Sequence, residues 1–123
     1  MSDPNFVLLY VKSVPLSVEF YSRLLGKPPV DSAPTFAMFA LESGVMLGLW
    51  SKQHVEPSAQ MMGGGGELAF TVDSDAAVDA THLVWRSHGM AMAQAPVKLD
   101  FGYTFVALDP DQHRLRVFVP SAS

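Results

Sequence analysis

The chain repeats one order of predicted elements in its two halves. Hydrophobic patterns predict a strand, a helix and three further strands, and this order returns after an irregular stretch at residues 52–66. In each half a strand leads into a helix that is capped by serine and closed by glycine, with Ser13 and Gly26 in the first half and Ser74 and Gly89 in the second. The repeat therefore predicts an α+β fold built from two βαβββ modules.

The predicted elements set the extent of each module. Module 1 covers about residues 1–55, a hinge covers 56–66, and module 2 covers about 67–123. Strong strands are predicted at residues 5–11, 35–41, 45–51, 67–73, 90–99, 103–109 and 114–120. The first of them is continuously apolar, so we expect both of its faces to be buried. The first helix carries an apolar stripe, Leu16, Phe20 and Leu24 with Tyr21 and Leu25.

Composition excludes several classes of function. The 123 residues are 49% hydrophobic and 16% charged, which suits a packed globular protein. The net charge is −4 and the basic residues are scattered, so nucleic-acid binding is not expected. Cysteine is absent, which removes disulfides, thiolate catalysis and cysteine-ligated metals. Neither a signal peptide nor a membrane-spanning run is recognisable, and we expect a soluble, cytoplasmic protein.

Two motifs give the repeat a family resemblance. Residues 11–26 fit the pattern V-x(2)-V-x(3)-V-x-F-Y-x(3)-L-G, and a DPD turn stands at 109–111. With the repeat, they make the chain resemble the vicinal oxygen chelate superfamily, which has the glyoxalase, bleomycin-resistance and extradiol-dioxygenase fold. The resemblance implies a curled mixed sheet around a cavity, helices on the outside, and a homodimer.

The resemblance also locates the positions at which the enzymes of this superfamily hold a divalent ion. They correspond here to Phe6, Gly48, Glu67 and Arg116. Only Glu67 offers a metal ligand, and the positive charge of Arg116 would repel a cation. We therefore expect no metal and no cofactor, and we favour a non-catalytic protein over an enzyme.

The same family geometry implies a largely aromatic cavity. If the last two strands pair across a DPDQ turn, Phe105 lies opposite Arg116, and both face the cavity together with Glu67. Met62 is expected as an adaptable lid, and Gly48 as a gap where a ring could lie against the backbone. The remaining expected ligand-binding residues are Phe6, Leu8, Tyr10, Met46, Trp50 and Tyr103.

Within the superfamily, the chain looks most like the antibiotic-binding resistance proteins, particularly those for phenazines. The resemblance is carried by LGLWSKQHVEP at 47–57 and FGYTFVALDPDQHRLRV at 101–117. It implies sequestration of a planar aromatic small molecule without chemical change.

Other interpretations stay open at this point. One is an enzyme of the same fold, either with a displaced metal-ligand set or acting as a cofactor-free lyase or isomerase through Glu67. Another is a protein-interaction module. Trp50 is also compatible with a place in the core or in an interface, and Arg116 with a simple ion pair to Glu67.

Overall fold

The structure is a computed structural model that describes residues 3–60 and 63–121. It divides into two compact units, Met1–Met62 and Gly63–Ser123. The elements of the first unit are β1 (Phe6–Val11), α1 (Val14–Leu25), β2 (Asp31–Ala33), β3 (Phe36–Ala40), β4 (Met46–Ser51) and a 3₁₀ turn (Lys52–His54). Those of the second unit are β5 (Glu67–Thr71), α2 (Asp75–Ser87), β6 (Ala91–Leu99), β7 (Gly102–Leu108) and β8 (Arg114–Pro120).

Both units have the same topology. The strand order is β1-β4-β3-β2 in the first sheet and β5-β8-β7-β6 in the second. The first strand of each unit lies parallel to the last one, and the other neighbours are antiparallel. Each sheet is open and mixed, with one helix in its unit. The predicted α+β fold of two βαβββ modules is confirmed.

The helices begin where the sequence predicted. The Ser13 hydroxyl accepts a hydrogen bond from the Leu16 N–H at 3.3 Å, and the Ser74 hydroxyl accepts one from the Ala77 N–H at 3.0 Å. Gly26 ends α1 with φ = 70°, a conformation that glycine adopts without steric cost. Because all of these signals are local, they could be predicted from sequence.

The buried face of α1 differs from the predicted stripe. Val14, Ser17 and Tyr21 are buried, whereas Leu16 is 60% exposed. Both sets of residues have helical spacing, so periodicity alone could not decide between them. Tyr21, which is 0% exposed, occupies the centre of the face that packs on the sheet.

The prediction that β1 is buried on both faces is wrong. Phe6, Leu8 and Tyr10 are 41%, 46% and 39% exposed. The physical reason is that β1 lies at the edge of its sheet, next to β4 only, and the packing residues of α1 cover one face of a sheet. The apolar run therefore marks an apolar surface in its unit as well as a core.

The β7–β8 connection is tighter than the predicted DPDQ turn. Leu108 pairs with Arg114, and the Asp109 N–H donates to the His113 carbonyl at 3.0 Å, which leaves a three-residue loop. The buried Asp109 carboxylate accepts from the Asp111 and His113 N–H groups at 2.9 and 2.8 Å, and Gln112 takes φ = 72°. This combination is typical of a three-residue hairpin loop.

In the part of the chain that the structure describes, no helix has the length and apolar character needed to cross a membrane.

Alanine substitutions of Ser13, the N-cap of α1, and of Ser17, within α1, should change the free energy of unfolding differently. The Ser17 hydroxyl is buried without a hydrogen-bond partner among the described residues, so Ser17→Ala should leave the free energy of unfolding unchanged or raise it by up to about 1 kcal/mol. Ser13→Ala removes the N-cap and should lower it by about 1 kcal/mol. Urea denaturation of both variants checks this, and a loss of stability in Ser17→Ala would contradict it.

The stability of the β7–β8 turn should depend on pH. His113 Nδ1 lies 2.7 Å from the Asp109 carboxylate, and this hydrogen bond raises the pKa of His113 above its ordinary value of 6.5, although partial burial acts the other way. The stabilisation by protonated His113 is therefore present below pH 6.5 and is lost as the pH rises through the raised pKa. His113→Gln should thus cost more stability at about pH 5.5 than at about pH 9.

Urea denaturation across that pH range measures the difference between wild type and variant. His88→Gln, at the exposed end of α2, is the matched control. A cost for His113→Gln that stays constant with pH would contradict the assignment.

Candidate ligand-binding site

Strand register brings the predicted ligand-binding residues of the first unit onto one sheet face. Phe6 pairs with Met46, Leu8 with Gly48, and Tyr10 with Trp50 across β1 and β4. Directly paired residues project to the same side of a sheet, and alternate residues along a strand share that side. By the same pairing, β3 adds Phe36, Met38 and Ala40. We call this surface the aromatic face.

The aromatic face contains a pocket of about 440 Å³ that is lined by Phe6, Leu8, Phe36 and Trp50. The Trp50 ring stands edge-to-face to Tyr10 and to Phe36, with centroid distances of 6.5 Å and interplanar angles of 78° and 83°. Such contacts stabilise the orientation of an aromatic side chain. The volume lies within the range of small-molecule sites, roughly 300–1,000 Å³.

Gly48 lies beneath this pocket, but its role differs from the expectation. A Cβ atom at position 48 would lie 2.7 Å from Leu8 Cδ2, 2.8 Å from Phe6 Cε1 and 3.1 Å from Phe36 Cζ. The space above the glycine is thus filled by the pocket's own side chains, and it is not a gap for a ligand ring. Gly48 allows these three side chains to close over the strand.

Arg116 and Glu67, on the second unit, form a bidentate ion pair. Arg116 Nε and Nη2 donate to the two Glu67 carboxylate oxygens at 2.7 and 3.0 Å. Arg116 Nη1 donates to Thr104 Oγ1 at 3.1 Å, and its guanidinium carbon lies 5.5 Å from the centre of the Phe101 ring. Arg114 adds a longer contact to Glu67 at 3.6 Å. The simple ion pair that the sequence left open is therefore present.

These contacts make Glu67 a poor general base. Hydrogen bonds from the Arg116 guanidinium hold the pKa of the Glu67 carboxyl below its usual value, although partial burial acts in the opposite direction. A catalytic base that works near neutral pH requires the reverse shift. Both carboxylate oxygens are also occupied by Arg116.

The predicted orientation of Tyr103 and Phe105 is wrong. Arg116 pairs with Val106 and Phe105 pairs with Val117, so Phe105 projects to the face opposite Arg116. Phe105 is 0% exposed, and its ring contacts those of His82 and Trp85 on α2 at 5.1 and 5.4 Å.

Tyr103 shares that helix-facing side of the sheet. Its hydroxyl donates to Asp79 on α2 at 2.7 Å. The error comes from the β7–β8 connection. Leu108 pairs with Arg114, whereas a DPDQ turn would pair it with His113, and a shift of one residue reverses the face of every side chain.

The metal-ligand positions of the fold family do not fit a divalent cation in this chain. Phe6 and Gly48 offer no donor atom, and the Glu67 carboxylate is held by a guanidinium. Within residues 3–60 and 63–121, no group of three or more His, Asp or Glu side chains is placed to hold a metal ion.

The sequence analysis missed Phe36 of the aromatic face, and it missed Phe101 and Thr104, which contact Arg116. Met62, the expected lid, lies outside the residues that the structure describes. Phe36 could have been found, because alternation along 35–41 places it on the same side as Met38. Phe101 stands in the loop before β7 and Thr104 is a single hydroxyl within an apolar strand. Neither carries a local signal for its contact with Arg116.

Comparisons with known proteins agree on one family. A family model described as the Glyoxalase/Bleomycin resistance protein/Dioxygenase superfamily matches residues 4–117. The chain is 31% identical over 117 residues to the phenazine antibiotic resistance protein EhpR of Enterobacter agglomerans, a match that covers 93% of this chain and 89% of that protein.

Solved structures have the same fold. Protein ATC0852 of Agrobacterium tumefaciens is 54% identical with a TM-score of 0.92, over 99% of this chain and 100% of that one. A glyoxalase-related enzyme from Fulvimarina pelagi is 19% identical with a TM-score of 0.84, over 97% of this chain and 88% of that one. The latter likeness concerns the fold alone.

A substitution at Gly48 should move the side chains of the pocket but change the free energy of unfolding only slightly. The Gly48→Ala methyl group must displace the ends of three flexible side chains, two of which, Phe6 and Leu8, are part-exposed and free to move. We expect the free energy of unfolding to change by less than about 1 kcal/mol, while the three side chains shift. Aromatic side-chain NMR shifts and urea denaturation check the two effects.

Gly65→Ala is the matched control, because no atom lies within 4 Å of a Cβ built there. It should change neither quantity. Unchanged Phe6 and Phe36 resonances in Gly48→Ala would contradict the packing described above.

Proposed function

Because this chain belongs to the glyoxalase/bleomycin resistance protein/dioxygenase superfamily, we propose that it binds a planar aromatic small molecule at the aromatic face of its first unit. The observation that carries the proposal is the pocket itself, in which Phe6, Phe36 and Trp50 supply three aromatic side chains and Leu8 supplies an aliphatic wall. Rings of this kind favour flat aromatic ligands through offset stacking and edge-to-face contact.

The relative from Enterobacter agglomerans supports a resistance-type role. That protein is named for phenazine antibiotic resistance, and phenazines are planar aromatic molecules. The proposed activity is sequestration, in which the ligand is held and released without chemical change. Homodimerisation, expected from the family resemblance, stays a prediction.

Catalysis is the weaker alternative. The family positions for a metal ion carry Phe6, Gly48 and an arginine next to Glu67. The Glu67 carboxylate, the one candidate base of the sequence analysis, is ionised and bound by Arg116. These features favour a binding protein over a lyase or isomerase.

A titration with phenazine tests the proposal. We expect saturable binding, and recovery of unmodified phenazine by mass spectrometry. Trp50→Leu removes one ring of the pocket and should weaken binding roughly two- to tenfold, since a stacked ring pair contributes about 0.5–1.5 kcal/mol beyond the area that it buries. Equilibrium dialysis measures the affinity without relying on tryptophan fluorescence.

Trp85→Phe is the matched control. Trp85 packs against Phe70 and Phe105 in the second unit, so this variant should bind phenazine as the wild type does. It also leaves Trp50 as the only tryptophan, and fluorescence quenching in it then reports on the pocket directly. Absence of binding to the wild type, or equal affinity in Trp50→Leu, would contradict the proposed site.

A further inference from the structure

We infer that Gly48 sets the size of the aromatic ligand that the pocket accepts. The inference rests on the proposed function and adds a residue that determines its specificity. Gly48 acts as a positioning residue, through the side chains that lie above it and without contact to the ligand.

Three of the four side chains that line the pocket converge on Gly48. The lining consists of Phe6, Leu8, Phe36 and Trp50. The three atoms nearest to a Cβ at position 48 would belong to Leu8, Phe6 and Phe36, at 2.7, 2.8 and 3.1 Å. Carbon atoms in ordinary contact are separated by roughly 3.5–4.0 Å. These three side chains therefore occupy space that any other amino acid at position 48 would need for its Cβ.

The strand order decides where the three side chains would move if position 48 carried a Cβ. β4 lies between β1, which carries Phe6 and Leu8, and β3, which carries Phe36. The backbone ladders on both sides of β4 hold these strands in place, so only the ends of the side chains can give way. Because side chains stand on the sheet surface, an added methyl group would lift them from the sheet into the pocket. Glycine at position 48 therefore gives the pocket its depth.

A shallower pocket should discriminate against large ring systems. Tyr10, whose ring stands edge-to-face to Trp50 at 6.5 Å, continues to hold the indole when the three side chains above Gly48 shift. Stacking on Trp50 then remains available to a small ligand. A larger ligand loses the additional area that it would have buried against the displaced side chains, and the hydrophobic contribution to binding scales with that area.

The test compares two ligands that share a diazine ring and differ in size, phenazine with three fused rings and quinoxaline with two. Equilibrium dialysis of the full chain should show phenazine bound about five- to tenfold more tightly, because its additional ring buries more apolar area. In Gly48→Ala this ratio should fall by about threefold or more, since the shallower pocket no longer covers the additional ring. Gly65→Ala, where a Cβ would have no neighbour within 4 Å, is the matched control and should keep the wild-type ratio.

A second measurement uses the wild-type chain and shows how Gly48 acts. With phenazine bound, the Hα protons of Gly48 should give nuclear Overhauser effects to the side chains of Leu8 and Phe36, and none to the ligand. The ligand protons should give them to the ring of Phe36. This measurement does not depend on the folding of a variant.

Each outcome decides between the proposals. The role of Gly48 would be overturned, and the binding function left intact, by a wild-type preference for quinoxaline or by a ratio that Gly48→Ala leaves unchanged, including equal weakening of both ligands. A nuclear Overhauser effect between Gly48 and phenazine, or an equal fall of the ratio in Gly65→Ala, would also overturn it. Failure of both ligands to bind to the wild type would overturn the proposed function and this inference with it.

Discussion

In each unit the first strand pairs in parallel with the last strand, and the order of the elements along the chain depends on this pairing. Two parallel neighbours cannot be joined by a tight turn, so the chain must cross over before it returns, and here α1 and α2 lie in those crossovers. A helix placed in this way packs on one face of its sheet. The helix does not cover the opposite face of the sheet. In the first unit, that face carries Trp50 and the pocket.

Short-range sequence signals were sufficient to predict much of the fold. The serine caps, the glycine that closes α1 and the repeated order of elements depend on neighbouring residues only, and they could be predicted. The shared side of Leu8 and Trp50 followed from strand alternation once both strands were recognised. The side of Phe105 did not, because it depends on how many residues the turn after Leu108 contains.

The ion pair of Arg116 shows a second limit of prediction from sequence. Its partner Glu67 is 49 positions away in the sequence, and only the parallel register of β5 with β8 makes them neighbours. Sequence alternation showed that an arginine stands on a sheet face, but it could not show that its guanidinium already holds a carboxylate.

The edge strand β2 has a consequence for a protein that holds its ligand and does not turn it over. Under the sequestration proposed above, one molecule would hold one molecule of ligand, so the protein would be needed at the concentration of the compound. Exposed sheet edges and apolar surfaces promote aggregation at high concentration. β2 is only three residues long, exposed throughout, headed by Asp31 and flanked by Pro29 and Pro34. Such an edge offers little for another chain to extend, whereas β1, the opposite edge of the same sheet, is six residues long and apolar.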